Sequence, residues 1–237
     1  MNPVDVVGNL ERLQERIEAA CHRADRSVAE VQLVAVTKRI PLERVVAAVK
    51  AGQRDLGENR IQDALPRQDE LQAALAPAAP PVRWHFIGHL QRNKANRAAG
   101  RFALIHGVHS LDLAERLARK AGELGSVQPV LLQVNVTAEP QKDGLACDEV
   151  VDVACAAAAL PGLELRGLMA MGRFGAPEKE LRGHFCRVRE LRDAAARACA
   201  RPLPELSLGM SDDFEAAILE GATLLRIGTA IFGARSR

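Results

Sequence analysis

The chain has no tyrosine, one tryptophan and six phenylalanines among 237 residues. So few flat rings argue against a base-stacking platform for nucleic acid. An excess of either charge is also missing. The 32 Lys and Arg stand against 30 Asp and Glu, and a formal +2 provides no field for nucleic acid or an anionic membrane surface. Cysteine is scarce and odd in number. Cys21, Cys147, Cys155, Cys186 and Cys199 lie far apart with no CxxC, so they read as reduced, mostly buried thiols rather than a disulfide framework or a zinc site. No HExxH occurs. His85 and His89 lie four apart and His106 and His109 three apart, on strand and loop segments where neither pair makes a metal site, so no metal is expected. No apolar run approaches the ~18–20 residues of a membrane span. The start, MNPVDVVGNLERLQ, carries acids and no apolar h-region, unlike a secretory signal. The expected location is the cytoplasm.

What is present is alternation. Val4, Val7, Leu10, Leu13 and Ile17 recur at spacings of three and four, which predicts an amphipathic helix over 4–23. Strand-like runs follow at 31–37, around 54–59, and at 82–88, 103–110, 129–136, 163–171, 205–210 and 223–228. Helical patterns lie between them, including the short QRNKANRAAG (91–100), 147–159, 177–200 and SDDFEAAILEG, where Asp212-x-x-Glu215 has the form of a helix cap. Some eight strands alternating with helices imply a parallel sheet. Eight units in ~200 residues fit a single (β/α)8 TIM-type barrel domain over 1–237 with an extra N-terminal helix. A doubly wound open sheet is the other arrangement such alternation allows.

In a barrel of this kind the functional face lies where strands end and helices begin. Strand 31–37 ends on VTK, so Lys38 stands at the mouth. A lysine there can simply reach water. Held beside apolar walls and other cations, its pKa would fall, and the neutral amine could attack a carbonyl. The last two strand ends, GMSDD (209–213) and RIGTA (226–230), each offer glycine, a hydroxyl and the start of a helix. These are the loops where a phosphate often sits in barrel enzymes. Ordinary capping by Ser211 or Asp212 and a turn at Gly228 would use the same residues. Taken with the lysine, the set describes a site for a phosphate and an aldehyde, and pyridoxal 5'-phosphate carries both.

The motifs VAVTK, LGENRIQDA, WHFIGHLQRNK, GLMAMG, LSLGMSDDFEAAI and LLRIGTAIFG, running from residue 34 to 233, resemble the YggS/PROSC family of pyridoxal phosphate homeostasis proteins. The resemblance implies a barrel similar to the N-terminal domain of alanine racemase, and a Schiff base on Lys38. It places Asn59 and Arg226 near the cofactor ring and Ser211, Gly228 and Thr229 around its phosphate. Arg60 departs from the aromatic that many relatives carry after GEN. An arginine facing the ring nitrogen would not give up a proton, which leaves the ring a poor electron sink. Racemisation also needs a proton donor and acceptor on opposite faces, and no tyrosine is present to be one of them. The resemblance therefore implies a holder and donor of the cofactor, with no catalytic residues assigned. Its expected partners are the cofactor and pyridoxal-phosphate-dependent apoenzymes, and its expected assembly is a monomer or weak dimer. A racemase-like enzyme, a Schiff-base aldolase without the cofactor, and a binding scaffold are the rival readings.

Overall fold

The computed structural model describes residues 4–77 and 79–233. Eight strands close into a barrel in chain order: β1 (Gln32–Val36), β2 (Asp55–Glu58), β3 (Arg83–Phe86), β4 (Leu104–Val108), β5 (Gln128–Val134), β6 (Leu163–Ala170), β7 (Glu205–Ser207) and β8 (Leu224–Ile227). Every pairing is parallel, including β1 with β8, where Val34 stands opposite Arg226. The open-sheet alternative is therefore excluded.

Helices α1 (Val6–Arg23), α2 (Leu42–Lys50), α3 (Ile61–Ala74), α4 (Ala95–Ala98), α5 (Leu111–Glu123), α6 (Val150–Ala158), α7 (Glu178–Ala198), α8 (Phe214–Leu219) and α9 (Thr229–Phe232) surround the strands. Their apolar stripes explain why. In α5, Leu113, Ala114, Leu117, Ala118 and Ala121 are buried at helical spacing, and the Ser110 hydroxyl accepts the Leu113 N–H at the start.

The extra helix α1 covers the seam where the barrel closes. Leu13, Ile17, Ala20 and Cys21 are buried. Asn9 Nδ2 donates to the Ile231 carbonyl at 2.8 Å, and Arg26 Nη1 donates to the carbonyls of Ile218 and Ala222. Arg16 and Arg23 both pair with Glu215 on α8.

The core has two parts, because successive side chains on a strand point to opposite faces. One set packs between strands and helices. A small second cluster, Val34, Leu104, Leu131, Met169 and Leu224, comes from β1, β4, β5, β6 and β8 and fills the barrel interior. Arg226 and His106 lie two residues beyond Leu224 and Leu104, so they share that inward face one layer higher.

Three local expectations need correction. The Asp212-x-x-Glu215 cap does not form: α8 begins at Phe214, and the Asp213 carboxylate instead accepts the N–H of Met210. The segment before α4 is a 3-10 turn (Arg92–Lys94) rather than regular helix. Of the five thiols only Cys21 is buried. The other four are half-buried, with Cys155 and Cys199 Sγ atoms 3.1 Å apart. Spacing along the chain could not indicate that contact, because it joins α6 to the end of α7.

Candidate functional site

The barrel mouth beside the closing seam holds a cavity of about 350 Å³. It takes Lys38 from the turn after β1, Met210, Ser211 and Asp212 from the loop after β7, and Arg226, Gly228 and Thr229 from the end of β8. Val36, Ile40, Ile87, Met171 and Phe174 supply apolar wall. Five of the six residues expected to bind a cofactor are thus brought together. The sixth, Asn59, is not among the residues that wall this cavity. It lines a neighbouring hollow with Arg60, His89 and Lys94. Its backbone there is pressed against Gly88, where a Cβ would come within 2.3 Å of the Asn59 carbonyl oxygen. Arg60 is exposed.

Lys38 reaches the cavity through a turn. Buried Thr37 donates its hydroxyl to Glu58 Oε1 at 2.7 Å, the Ile40 N–H returns to the Thr37 carbonyl, and Arg39 takes a left-handed φ of 58°. Lys38 itself is half-buried. Burial pushes the Glu58 carboxyl up, against the Thr37 hydrogen bond that lowers it.

Gly209 shapes the opposite wall. Its φ is +82°, and a Cβ there would come within 2.8 Å of Phe214 Cα and Ala217 Cβ. Only glycine lets the chain turn there with α8 packed so close. The Ser211 hydroxyl accepts the Ala230 N–H at 3.3 Å, which ties the β7 loop to α9. Because α9 is a single turn, no long helix dipole points at this corner, and the hydroxyl-bearing residues that line it are Ser211 and Thr229.

Arg226 is the buried cation of the site, 5% exposed. Burial lowers its pKa to about 10, opposed by the nearby Asp213 carboxylate. Burial in turn pushes Asp213 up, against the Met210 N–H and Arg226, which lower it. Nη1 of Arg226 donates to the Ser207 carbonyl and hydroxyl, both at 2.6 Å, and Nη2 donates to the Ala170 carbonyl at 2.9 Å. Ser207 and the histidines behind it were not legible as site residues. Their contacts cross the barrel interior, and nothing in chain spacing reports them.

A sequence profile of the alanine racemase N-terminal domain family matches residues 8–236. The pyridoxal phosphate homeostasis protein of Escherichia coli K12 is 41% identical over 234 residues, which cover 98% of this chain and 97% of that protein. The protein of that description from Pseudomonas aeruginosa is 43% identical, with 97% and 96% covered. The chain belongs to this family. Among solved structures, PipY of Synechococcus elongatus with bound pyridoxal phosphate superposes with a TM-score of 0.83 at 35% identity, covering 97% of this chain and all of that one. A protein from Bifidobacterium adolescentis gives 0.89 at 36% identity, with 96% and 94% covered. A D-threonine aldolase from Filomicrobium marinum, at 14% identity and a TM-score of 0.71, shares the fold alone. Among the described residues no helix is long and apolar enough to cross a membrane, and no group of three or more ligating side chains could hold a metal ion.

Proposed function

We propose that this family member binds pyridoxal 5'-phosphate in the Lys38 cavity and serves cofactor homeostasis in the cytoplasm, buffering it and delivering it to apoenzymes. The observation that carries this reading is that Lys38, Ser211, Arg226, Gly228 and Thr229, from the first and last strands and the β7 loop, wall one cavity. The bound cofactor of PipY supports it.

The residues fit the group. The cavity lies within the usual size range for small-molecule sites and combines an apolar wall with a few polar groups. Bound there, pyridoxal phosphate supplies an aldehyde that condenses reversibly with an amine, losing water. Lys38 is the amine this chain offers. Ser211 and Thr229 would provide hydroxyls for the phosphate, and Arg226 would offer a guanidinium that can only donate, so a ring nitrogen facing it would stay unprotonated. Asn59, which the family resemblance places near the ring, lies outside these walls and lines the neighbouring hollow. A site of this kind holds the aldehyde and releases it to another amine. Robust amino-acid turnover is not part of the reading, since the chain contains no tyrosine to act as the second proton carrier. The binding unit is one domain over 1–237, acting as a monomer or weak dimer.

The test is borohydride reduction of protein mixed with the cofactor, followed by peptide mass mapping. The pyridoxyl adduct is expected on Lys38 and lost in Lys38→Ala, with the fold retained. An adduct on Lys50, Lys94 or another lysine, or one surviving at full yield in the mutant, overturns the assignment.

A further inference from the structure

Behind Arg226 a line of hydrogen bonds crosses the barrel interior. Ser207 Oγ lies 2.8 Å from His106 Nδ1, His106 Nε2 lies 2.9 Å from His85 Nδ1, and His85 Nε2 lies 3.0 Å from Asp55 Oδ1. Asp55 is then gripped by Arg83, with Nε and Nη2 each 2.6 Å from a carboxylate oxygen. Arg226, Ser207, His106, His85 and Asp55 are all buried, while Arg83 reaches solvent with a side chain 58% exposed. Asp55 and Arg83 open their strands, and Ser207 closes β7. The line therefore runs from one mouth of the barrel to the other.

The proton positions along this line follow from its ends. A guanidinium can only donate. The Ser207 oxygen therefore accepts from Arg226, and the hydroxyl hydrogen points to the remaining partner, His106 Nδ1. That nitrogen is bare. Burial, followed by His85 and Arg226, holds the His106 pKa well below the ordinary value, so the ring is neutral and its one proton sits on Nε2. Nε2–H then donates to His85 Nδ1, which must also be bare. The proton of His85 sits on its own Nε2 and donates to Asp55. Asp55 accepts from both His85 and Arg83. Burial would raise its carboxyl, but these two partners outweigh burial and hold it below the usual range, as an anion. From Arg226 to Asp55 every bond points the same way, from an obligate donor to an obligate acceptor, and Arg83 donates to that acceptor from the far side.

We propose that His106 and His85 are positioning residues for Arg226, acting through Ser207 in a one-way hydrogen-bond chain anchored by Asp55 and Arg83 at the opposite mouth. The chain fixes which guanidinium hydrogens are spent inside the barrel and which remain for the cavity. A proton placed on His85 Nδ1 would reverse the order: His106 would carry its proton on Nδ1, Ser207 would face two donors, and its own hydrogen would lose its acceptor. The far mouth is thereby linked to the cation of the cofactor site. The relevance of that link to a bound cofactor rests on the proposed function, whereas the chain itself does not.

The decisive measurement is imidazole 15N NMR on wild-type protein without cofactor. Both His85 and His106 are expected neutral at pH 7, in the Nε2–H form. A cation or an Nδ1–H form at either residue overturns the proposal. Two substitutions separate positioning from mere packing. Asp55→Asn keeps an acceptor oxygen and should preserve the His106 signature, whereas Asp55→Leu should mix its tautomers although it lies two side chains away. An unchanged His106 signature in a folded Asp55→Leu protein also counts against the chain. In His106→Leu, exchange of the Arg226 Nη hydrogens with water should quicken about tenfold or more, as for loss of a hydrogen bond that supports a charged group. Unchanged exchange would show that His106 does not position Arg226. Because none of these readouts uses the cofactor, failure of borohydride trapping would sink the proposed function and leave this inference standing.

Discussion

At the scale of single residues, the site separates by chemical task. Lys38 offers an amine, Arg226 a buried cation, and Ser211 and Thr229 hydroxyls. If those hydroxyls and cations hold a phosphate, pyridoxal without its phosphate should bind far more weakly. Each hydrogen bond to the charged group contributes ~1.5–3 kcal/mol, so losing two or three costs affinity on the order of 10²–10⁶-fold. Titration followed by absorbance would check this, and equal affinity for the two compounds would remove the phosphate from this corner. Lys38 and the two loops were readable from the chain alone because strand ends can be counted and each loop carries its own glycine and hydroxyl. Arg226 was readable as a site residue, but its fixation by Ser207 and Ala170 was not, since both partners come from other strands.

At the scale of elements, period-two and period-3.6 patterns carry the order of strands and helices, and every strand falls within its predicted run except β5, which starts one residue earlier at Gln128. What they could not give is register. The four histidines look like two sequential pairs, yet the real partners are His85 with His106, and His89 stacked on His109 with ring centroids 4.5 Å apart. Both real pairs join β3, or the loop after it, to β4, or the loop after it. The Asp212-x-x-Glu215 pattern likewise points to a helix start ahead of the real one at Phe214, because the turn before α8 is set by Gly209 rather than by a side-chain cap. That glycine permits a direct test. In Gly209→Ala the left-handed backbone costs ~1–2 kcal/mol and the crowding against α8 costs ~1–3 more, for a loss of about 2–5 kcal/mol in urea unfolding. A loss below ~1 kcal/mol would mean that the loop relaxes freely and does not define the cavity wall.

For the whole molecule, buried His106 gives stability a pH dependence with a definite sign. Unfolding exposes His106, which then titrates near its ordinary value of ~6.5. The folded ring resists protonation, chiefly through burial. Below that pH the unfolded chain therefore binds a proton that the folded one does not, and stability falls as the solution is acidified. Above it both states are neutral there and the effect vanishes. One such proton contributes a slope of up to about 1.4 kcal/mol per pH unit. Urea unfolding between pH 7.5 and 5.5 should show this decline, and His106→Leu should flatten it. Asp55 acts in a separate window from about pH 4 downward, where the unfolded carboxyl takes up a proton that the lowered, folded one still refuses, so this contribution too is lost on acidification. A stability that rises on acidification through pH 6 would contradict the buried neutral ring.

The pairing of β1 with β8 has a consequence for biosynthesis. Lys38 is synthesised early, whereas Ser211, Arg226 and Thr229 leave the ribosome nearly two hundred residues later. A nascent chain that has made seven strands already carries the amine but lacks half of the pocket. Capture of the ligand can therefore begin only when the ring has shut, and from then on mass action favours the shut form. A cell rich in the ligand would in this way draw newly made chains toward their finished state.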